Sequence, residues 1–276
     1  MYPAFCVRVH FVRPESMLPA LTMKVLALLL AFAAADDVVP VETMLQAAEN
    51  NIKNGKLDRA KLMLEQAKKH YPDEGRTDYY YGLIYAQQEK PEEAVKAFQG
   101  AVKRRPEMIE AHLNLALQLD VLKRYEESDK VYADAAKRFP KDVDLLSEWG
   151  TTLILRQRYA EAEGVLKRAI ELDPKNAQAQ CDLAYVESKI KKVDAAIKRF
   201  DAALKSFDDP TCKRQLGDAL AASGDLKRAE ATYTALLAKD PNEADVLYRR
   251  YKVRDALGDK AGATADKLEW EKKKKK

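Results

Sequence analysis

Proline punctuates this chain at a fixed period. Pro72, Pro106, Pro140 and Pro174 stand 34 residues apart, and Pro241 follows 67 residues later, which is 34 plus 33. A period in this range marks a repeat architecture, in which each unit buries its apolar face only by stacking on a neighbour. Six registers follow, at 41–74, 75–108, 109–142, 143–176, 177–209 and 210–243. The fifth is one residue short and has Asp208 at the punctuating position.

The same chemistry recurs inside the registers. Twelve residues before each punctuating position stand Ala60, Ala94, Ser128, Ala162, Ala196 and Ala229. Eight before it stand Leu64, Phe98, Tyr132, Leu166, Phe200 and Tyr233, and five before it Ala67, Ala101, Ala135, Ala169, Ala203 and Leu236. Steps of four and then three residues put these side chains on one face of a helix. The small residue admits a neighbouring helix and the large one fills the space beside it. Earlier in each unit a second face repeats: Tyr81-Gly82 with Tyr85, Leu115-Ala116 with Leu119, Trp149-Gly150 with Leu153, and Leu216-Gly217 with Leu220. Asn54-Gly55, Pro91 and Gly224-Asp225 mark the turn between the two helices. Pro91 suits a first-turn position, where a missing N–H costs nothing. Composition agrees, with 42 alanines against ten glycines and eleven prolines among 276 residues; alanine loses least on entering a helix.

These residues resemble the tetratricopeptide repeat (TPR), and the unit Tyr81-Gly82…Tyr85…Ala94…Phe98…Ala101…Pro106 carries nearly the whole pattern. The first repeat departs from it with Ala47, Ala48 and Asn51, and the fifth lacks its proline. The resemblance implies an all-α fold, a right-handed superhelical solenoid of antiparallel helix pairs. Residues 244–271 read as a degenerate seventh pair that caps the stack. Leu247 and Ala263 hold the repeat positions there, but Arg250, Arg254 and Lys267 replace apolar residues. A polar outer face keeps a terminal repeat soluble, and Leu268 and Trp270 are expected to be the cap's remaining packing contacts.

The two ends read differently from the body. Residues 24–35 join one lysine to an apolar run of eleven residues ending in small residues, followed by Asp36-Asp37. That is the pattern of a secretory signal peptide with cleavage after Ala35, and it is shorter than the roughly 20 residues a membrane span needs. Met23 offers an alternative start; a buried apolar helix and a mitochondrial presequence are the rival readings. The protein is therefore expected to be secreted or periplasmic, with 36–40 a short linker. The formal charge of +4 comprises +2 from 1–35 and +5 from the lysine run 272–276, which leaves 4 − 2 − 5 = −3 for the body. With signs interspersed along that body, a nucleic-acid face is not expected on it. The lysine run reads first as a solvated tail, with contact to anionic lipid or nucleic acid as the sharper alternative.

Patterns that carry catalysis or hold a cofactor are missing. No Gly-rich phosphate loop, His-Glu-x-x-His, Cys-x-x-Cys or Gly-x-Ser-x-Gly occurs. His10, His70 and His112 form no ligand set, so neither metal nor cofactor is expected and the chain reads as a non-enzyme. Glu92-Glu93 and Glu126-Glu127 sit where second helices start and match the helix dipole. Cys181 and Cys212 fall in the first helices of adjacent repeats. Helix axes about 8–10 Å apart make a disulfide marginal, so two buried thiols are the expectation.

In TPR arrays the first helices line a concave groove that takes peptides. Carried over by register, the groove positions are Tyr79, Tyr80, Leu83, Leu113, Asn114, Leu117, Ser147, Thr151, Cys181, Tyr185, Arg214 and Asp218. The resemblance thus implies a protein or peptide partner, with exposed tyrosine and leucine as apolar anchors. The carboxylate clamp of chaperone-binding TPR domains is absent: no repeat has its Lys/Asn pair, and Asn114 stands alone. The expected function is an exported adaptor or chaperone-like scaffold. The alternative is a structural subunit of a membrane-associated assembly, docking by its convex face or its termini.

Overall fold

The computed structural model describes residues 39–274. The leader, its cleavage point at Ala35 and the last two lysines of the tail lie outside the described residues. Fourteen helices and no strand occur among the described residues, and the fold class is the all-α helical repeat that the sequence implied. The helices fall into two units, Met1–Pro140 and Lys141–Lys276.

The first unit holds three helix pairs: α1 (Val41–Lys53) with α2 (Leu57–His70), α3 (Gly75–Gln87) with α4 (Pro91–Arg104), and α5 (Ile109–Val121) with α6 (Tyr125–Arg138). The second holds four: α7 (Val143–Leu155) with α8 (Tyr159–Leu172), α9 (Ala177–Lys189) with α10 (Val193–Ala203), α11 (Pro210–Ser223) with α12 (Leu226–Lys239), and α13 (Ala244–Leu257) with α14 (Lys260–Lys274).

One backbone device makes every pair. The first helix ends in a residue with positive φ: Gly55, Glu89, Lys123, Gln157, Lys191, Gly224 or Gly258. The next N–H then turns back onto the helix, as from Lys56 to the Asn51 carbonyl (2.8 Å), Arg124 to Leu119 (2.8 Å) and Asp259 to Arg254 (3.0 Å). This is the Schellman closure, which satisfies orphaned carbonyls while reversing the chain. At the far end the punctuating prolines cannot extend the second helix. In the second unit three of the four first helices open on a capping side chain, since Asp142, Asn176 and Asp209 accept from the amides of Leu145, Ala179 and Cys212.

Packing explains the large–small pairing of the sequence. A Cβ added at Gly82 would come within 2.5 Å of the Phe98 ring, and one at Gly217 within 2.5 Å of the Tyr233 ring. In these two pairs the aromatic of the second helix thus packs against the glycine of its first helix, closer than any side chain there would allow. In the first unit these contacts merge into one core from Met44 to Leu119. In the second, a core around Leu153, Leu166 and Leu183 sits beside a larger one that runs from Cys181 to Val253.

The seventh pair departs from the sequence expectation in two ways. Arg250 and Arg254 are not solvated substitutes: both bond the carboxylate of Asp266 (2.7–3.2 Å), which is 4% exposed, and Arg254 also bonds Glu230 (2.8 Å). An ionic clasp therefore replaces the apolar contact between α13 and α14. Leu268, expected to pack, is 53% exposed, because Ala263, Asp266 and Trp270 at i, i+3 and i+7 define the inner face and Leu268 points elsewhere. Trp270 does pack, with its ring centroid 4.8 Å from that of Tyr248.

Candidate functional site

The twelve positions carried over as groove residues divide by unit. In the first unit Tyr79, Tyr80, Leu83, Leu113 and Asn114 are all buried, and only the half-buried Leu117 keeps surface. Tyr79 packs against Phe98 and Tyr80 at ring distances of 5.8 and 5.4 Å. The Tyr80 hydroxyl donates to Glu49 (3.3 Å) and Asn114 donates to the Glu110 carbonyl in its own helix (2.8 Å). Burial raises both tyrosine pKa values. The expected exposure of Tyr79 and Tyr80 is therefore corrected. Neighbouring first helices approach each other, and tyrosine or leucine at these positions fills the gap instead of lining a wall.

In the second unit the same positions, Cys181 apart, carry polar side chains and stay at least partly open. Ser147 donates to the Val143 carbonyl (2.8 Å), and Thr151 donates to Asp182 on the next first helix (3.2 Å). Tyr185 is half-buried, edge-on to Tyr159 (6.3 Å), with the Lys189 ammonium 4.9 Å from its ring centroid. Arg214 stands 3.8 Å from Asp245. Asp218 accepts from the Tyr233 hydroxyl (2.7 Å) and from Arg249.

Cys181 is neither a groove residue nor a buried thiol. It is joined to Cys212 in a disulfide, with Cα atoms 5.8 Å apart and sulfur-bearing side chains 2% and 1% exposed. Axis separation is the wrong measure for such a pair. Residues on facing sides each lie about 2.3 Å inward from their helix axis, so axes too far apart for a bridge can still present Cα atoms within reach.

Two hollows open on this face. One, of about 170 Å³, is lined by Gln178, Asp182, Asp209, Thr211 and Gln215 around the disulfide. Burial pushes the Asp182 carboxyl up to about 6; hydrogen bonds from Gln178 and Thr151 oppose the shift, and the nearby acids Asp209 and Glu148 add to it. The other, of about 300 Å³, lies between α11 and α13. Ala221, Tyr233 and Val253 provide its apolar wall, and Asp218, Asp245, Tyr248, Arg249 and Lys252 its rim. Arg249 bonds both acids, at 3.0 Å from Asp245, which leaves the exposed Lys252 and the 38%-exposed ring of Tyr248 facing solvent. Sequence reasoning missed these rim residues although the register reaches them. Tyr248 follows Ser147, Cys181 and Arg214, and Lys252 follows Thr151, Tyr185 and Asp218, at the same steps of 34, 33 and 34. Treating the seventh pair as a cap alone hid them.

His112 is a packing residue. Its Nε2 lies 3.0 Å from the Pro106 carbonyl, its ring is edge-on to Phe139, and burial lowers its pKa. Among the described residues no group of three His, Cys, Asp or Glu side chains is placed to hold a metal.

Tetratricopeptide-repeat family models match residues 45–109, 82–143, 113–177 and 214–265, and a second such model matches 153–214. The chain is a tetratricopeptide-repeat protein. No curated protein matches it. Among solved structures, this TPR chain is similar to a tetratricopeptide repeat protein from Parabacteroides merdae ATCC 43184, at TM-score 0.64 and 21% identity over 84% of this chain and 92% of that one. It is also similar to PilW, described as a widely conserved type IV pilus biogenesis factor, at TM-score 0.63 and 19% identity over 70% and 90%. YrrB, described as a TPR protein with an unusual peptide-binding site, gives TM-score 0.53 and 20% identity over 64% and 91%. At these identities the likeness is one of fold.

Proposed function

We propose that this TPR protein is a non-catalytic scaffold that holds a protein or peptide partner against the first-helix face of its second unit. The hollow between α11 and α13 carries the reading. It combines an apolar wall, an exposed aromatic ring at Tyr248 and an ammonium at Lys252, the mixture by which an interface anchors one apolar side chain and orients its polar neighbours. The fold supports it, since TPR arrays in general bind protein or peptide partners. In the first unit the corresponding positions other than the half-buried Leu117 are core, so a substitution such as Tyr79→Ala tests stability there and not binding.

Two observations of different kind support a reading of the compartment. Residues 24–35 have the composition of an export signal, and a buried disulfide persists in oxidising surroundings. Both support a secreted or periplasmic protein whose mature chain starts at Asp36.

A photo-crosslinking residue placed at Tyr248 should label a partner in the protein's own compartment, and the same residue at Leu172 should not. The labelled partner, purified, should bind the intact protein and lose at least ten-fold in affinity to the Tyr248→Ala/Lys252→Glu variant. Equal labelling from both positions overturns the groove reading. N-terminal sequencing of the purified protein tests export separately, since an intact residue 1 is incompatible with it.

A further inference from the structure

We propose that the α13–α14 pair docks on an anionic phospholipid surface through a basic face formed by Lys252, Lys260 and Lys267 together with Lys272, Lys273 and Lys274 at the end of α14. In sequence the run is five consecutive lysines, which alone reads as a solvated tail. The structure extends it. Lys272, Lys273 and Lys274 belong to α14 itself, and Lys260, Lys267 and Lys274 recur every seven residues along that helix, which places them on one stripe. From α13, Lys252 comes alongside: its ammonium lies 5.9 Å from the ring centroid of Tyr251, and that of Lys267 lies 6.0 Å from the same ring.

Charge complementarity and the apolar content of this face select the occupant. The body between leader and tail carries −3, so an anionic surface repels most of the molecule and attracts this end, which orients the protein. Leu268 is 53% exposed beside the lysine stripe, and Tyr251 is half-buried between Lys252 and Lys267. An exposed leucine and a tyrosine among lysines suit the boundary between headgroups and acyl chains. Residues 244–271 are neutral, six basic against six acidic side chains, with Asp266 held by Arg250 and Arg254, Asp245 by Arg249, Asp255 by Lys260 (2.7 Å) and Glu269 by Lys272 (3.6 Å), so the net positive charge of this end comes from the lysine run. Glu271 stands among the lysines as an exposed countercharge. Each lysine near an anionic leaflet adds about five-fold to binding, and the attraction fades beyond roughly 8 Å at physiological salt. Lys252 also stands on the rim of the groove between α11 and α13, whereas Lys267 and Lys272 do not line it.

The test is vesicle flotation of the full chain with phosphatidylcholine vesicles, either pure or containing 30% phosphatidylserine, in about 0.1 M salt. We expect binding to the phosphatidylserine vesicles at least ten-fold above pure phosphatidylcholine, and release in about 0.5 M salt. The leader is common to every variant and cancels in the comparison. Replacing the five terminal lysines by glutamine should abolish the difference. Lys252→Gln/Lys267→Gln, both at exposed positions, should weaken it several-fold, and Leu268→Asn should weaken it at unchanged salt dependence. Equal binding to both vesicle types overturns the proposal. So does a full effect from the tail with none from Lys252 and Lys267. Tighter binding of a 30-nucleotide single strand than of the vesicles at the same salt assigns the face to nucleic acid and likewise overturns it.

Discussion

Cys181 on α9 and Cys212 on α11 are joined across two consecutive first helices, with their Cα atoms 5.8 Å apart and both side chains buried. The bond closes a loop 31 residues in sequence separation, so the chain-entropy gain that favours unfolding is reduced by roughly 3–4 kcal/mol. Cys181→Ala/Cys212→Ala should lower the stability of the second unit by about that amount. Both tryptophans, Trp149 and Trp270, lie in this unit, so their fluorescence in a guanidinium titration reads it alone. An unchanged midpoint would show that the bridge adds nothing.

Gly217 makes a sharper packing test. The Tyr233 ring that lies against it is also fixed by a hydrogen bond to Asp218 (2.7 Å), so it cannot swing aside without breaking that bond. Gly217→Ala should destabilise by about 1–3 kcal/mol despite the better helix propensity of alanine. Gly164, with nothing within 4 Å of an added Cβ, is the internal control, and Gly164→Ala should stabilise by about 0.5–1 kcal/mol.

Four of the helix-ending residues with positive φ are not glycine: Glu89, Lys123, Gln157 and Lys191. An L-residue in this region costs about 1 kcal/mol or more, part of which glycine returns through its freer unfolded chain. Lys123→Gly and Gln157→Gly should each raise stability by about 0.5–1 kcal/mol, one in each unit, measured by chemical denaturation followed by circular dichroism. A loss in both would mean that the side chains hold contacts more valuable than the relief.

The Asp182 carboxyl, pushed up to about 6 by burial, makes stability depend on pH. Its folded pKa lies above its unfolded value near 3.8, so between pH 4 and 6 the folded state binds the extra proton. This contribution is therefore largest near pH 4 and declines as pH rises through 6. Asp182→Asn should flatten that slope and stabilise the second unit at pH 7, relative to wild type, in urea titrations at pH 4.5 and 7. A slope unchanged by the substitution would place the titration elsewhere.

Asp266 is the single buried acceptor for two guanidinium groups. Removing one partner of a buried pair leaves uncompensated charge and costs about 3–5 kcal/mol. Asp266→Ala should thus loosen α14 from α13, seen as a red shift and easier quenching of Trp270 relative to Trp149. The triple change Arg250→Met/Arg254→Leu/Asp266→Leu should recover much of the loss, because an apolar contact of similar volume replaces the whole clasp.

The sequence determined the helix pairs and their order. A 34-residue proline period, small and large residues at steps of three and four, and glycine opposite an aromatic are all local or next-neighbour facts, and they act wherever the repeats stack. It did not reveal which first-helix positions face solvent. Tyr79 and Ser147 hold equivalent places in their registers, yet one is core and the other surface, because exposure depends on how closely the next first helix approaches and on what it brings. The disulfide and the Asp266 clasp were hidden for the same reason. Each joins residues 12 to 31 positions apart on different helices, at distances set by the packing of whole helix pairs and not by the spacing along any one of them.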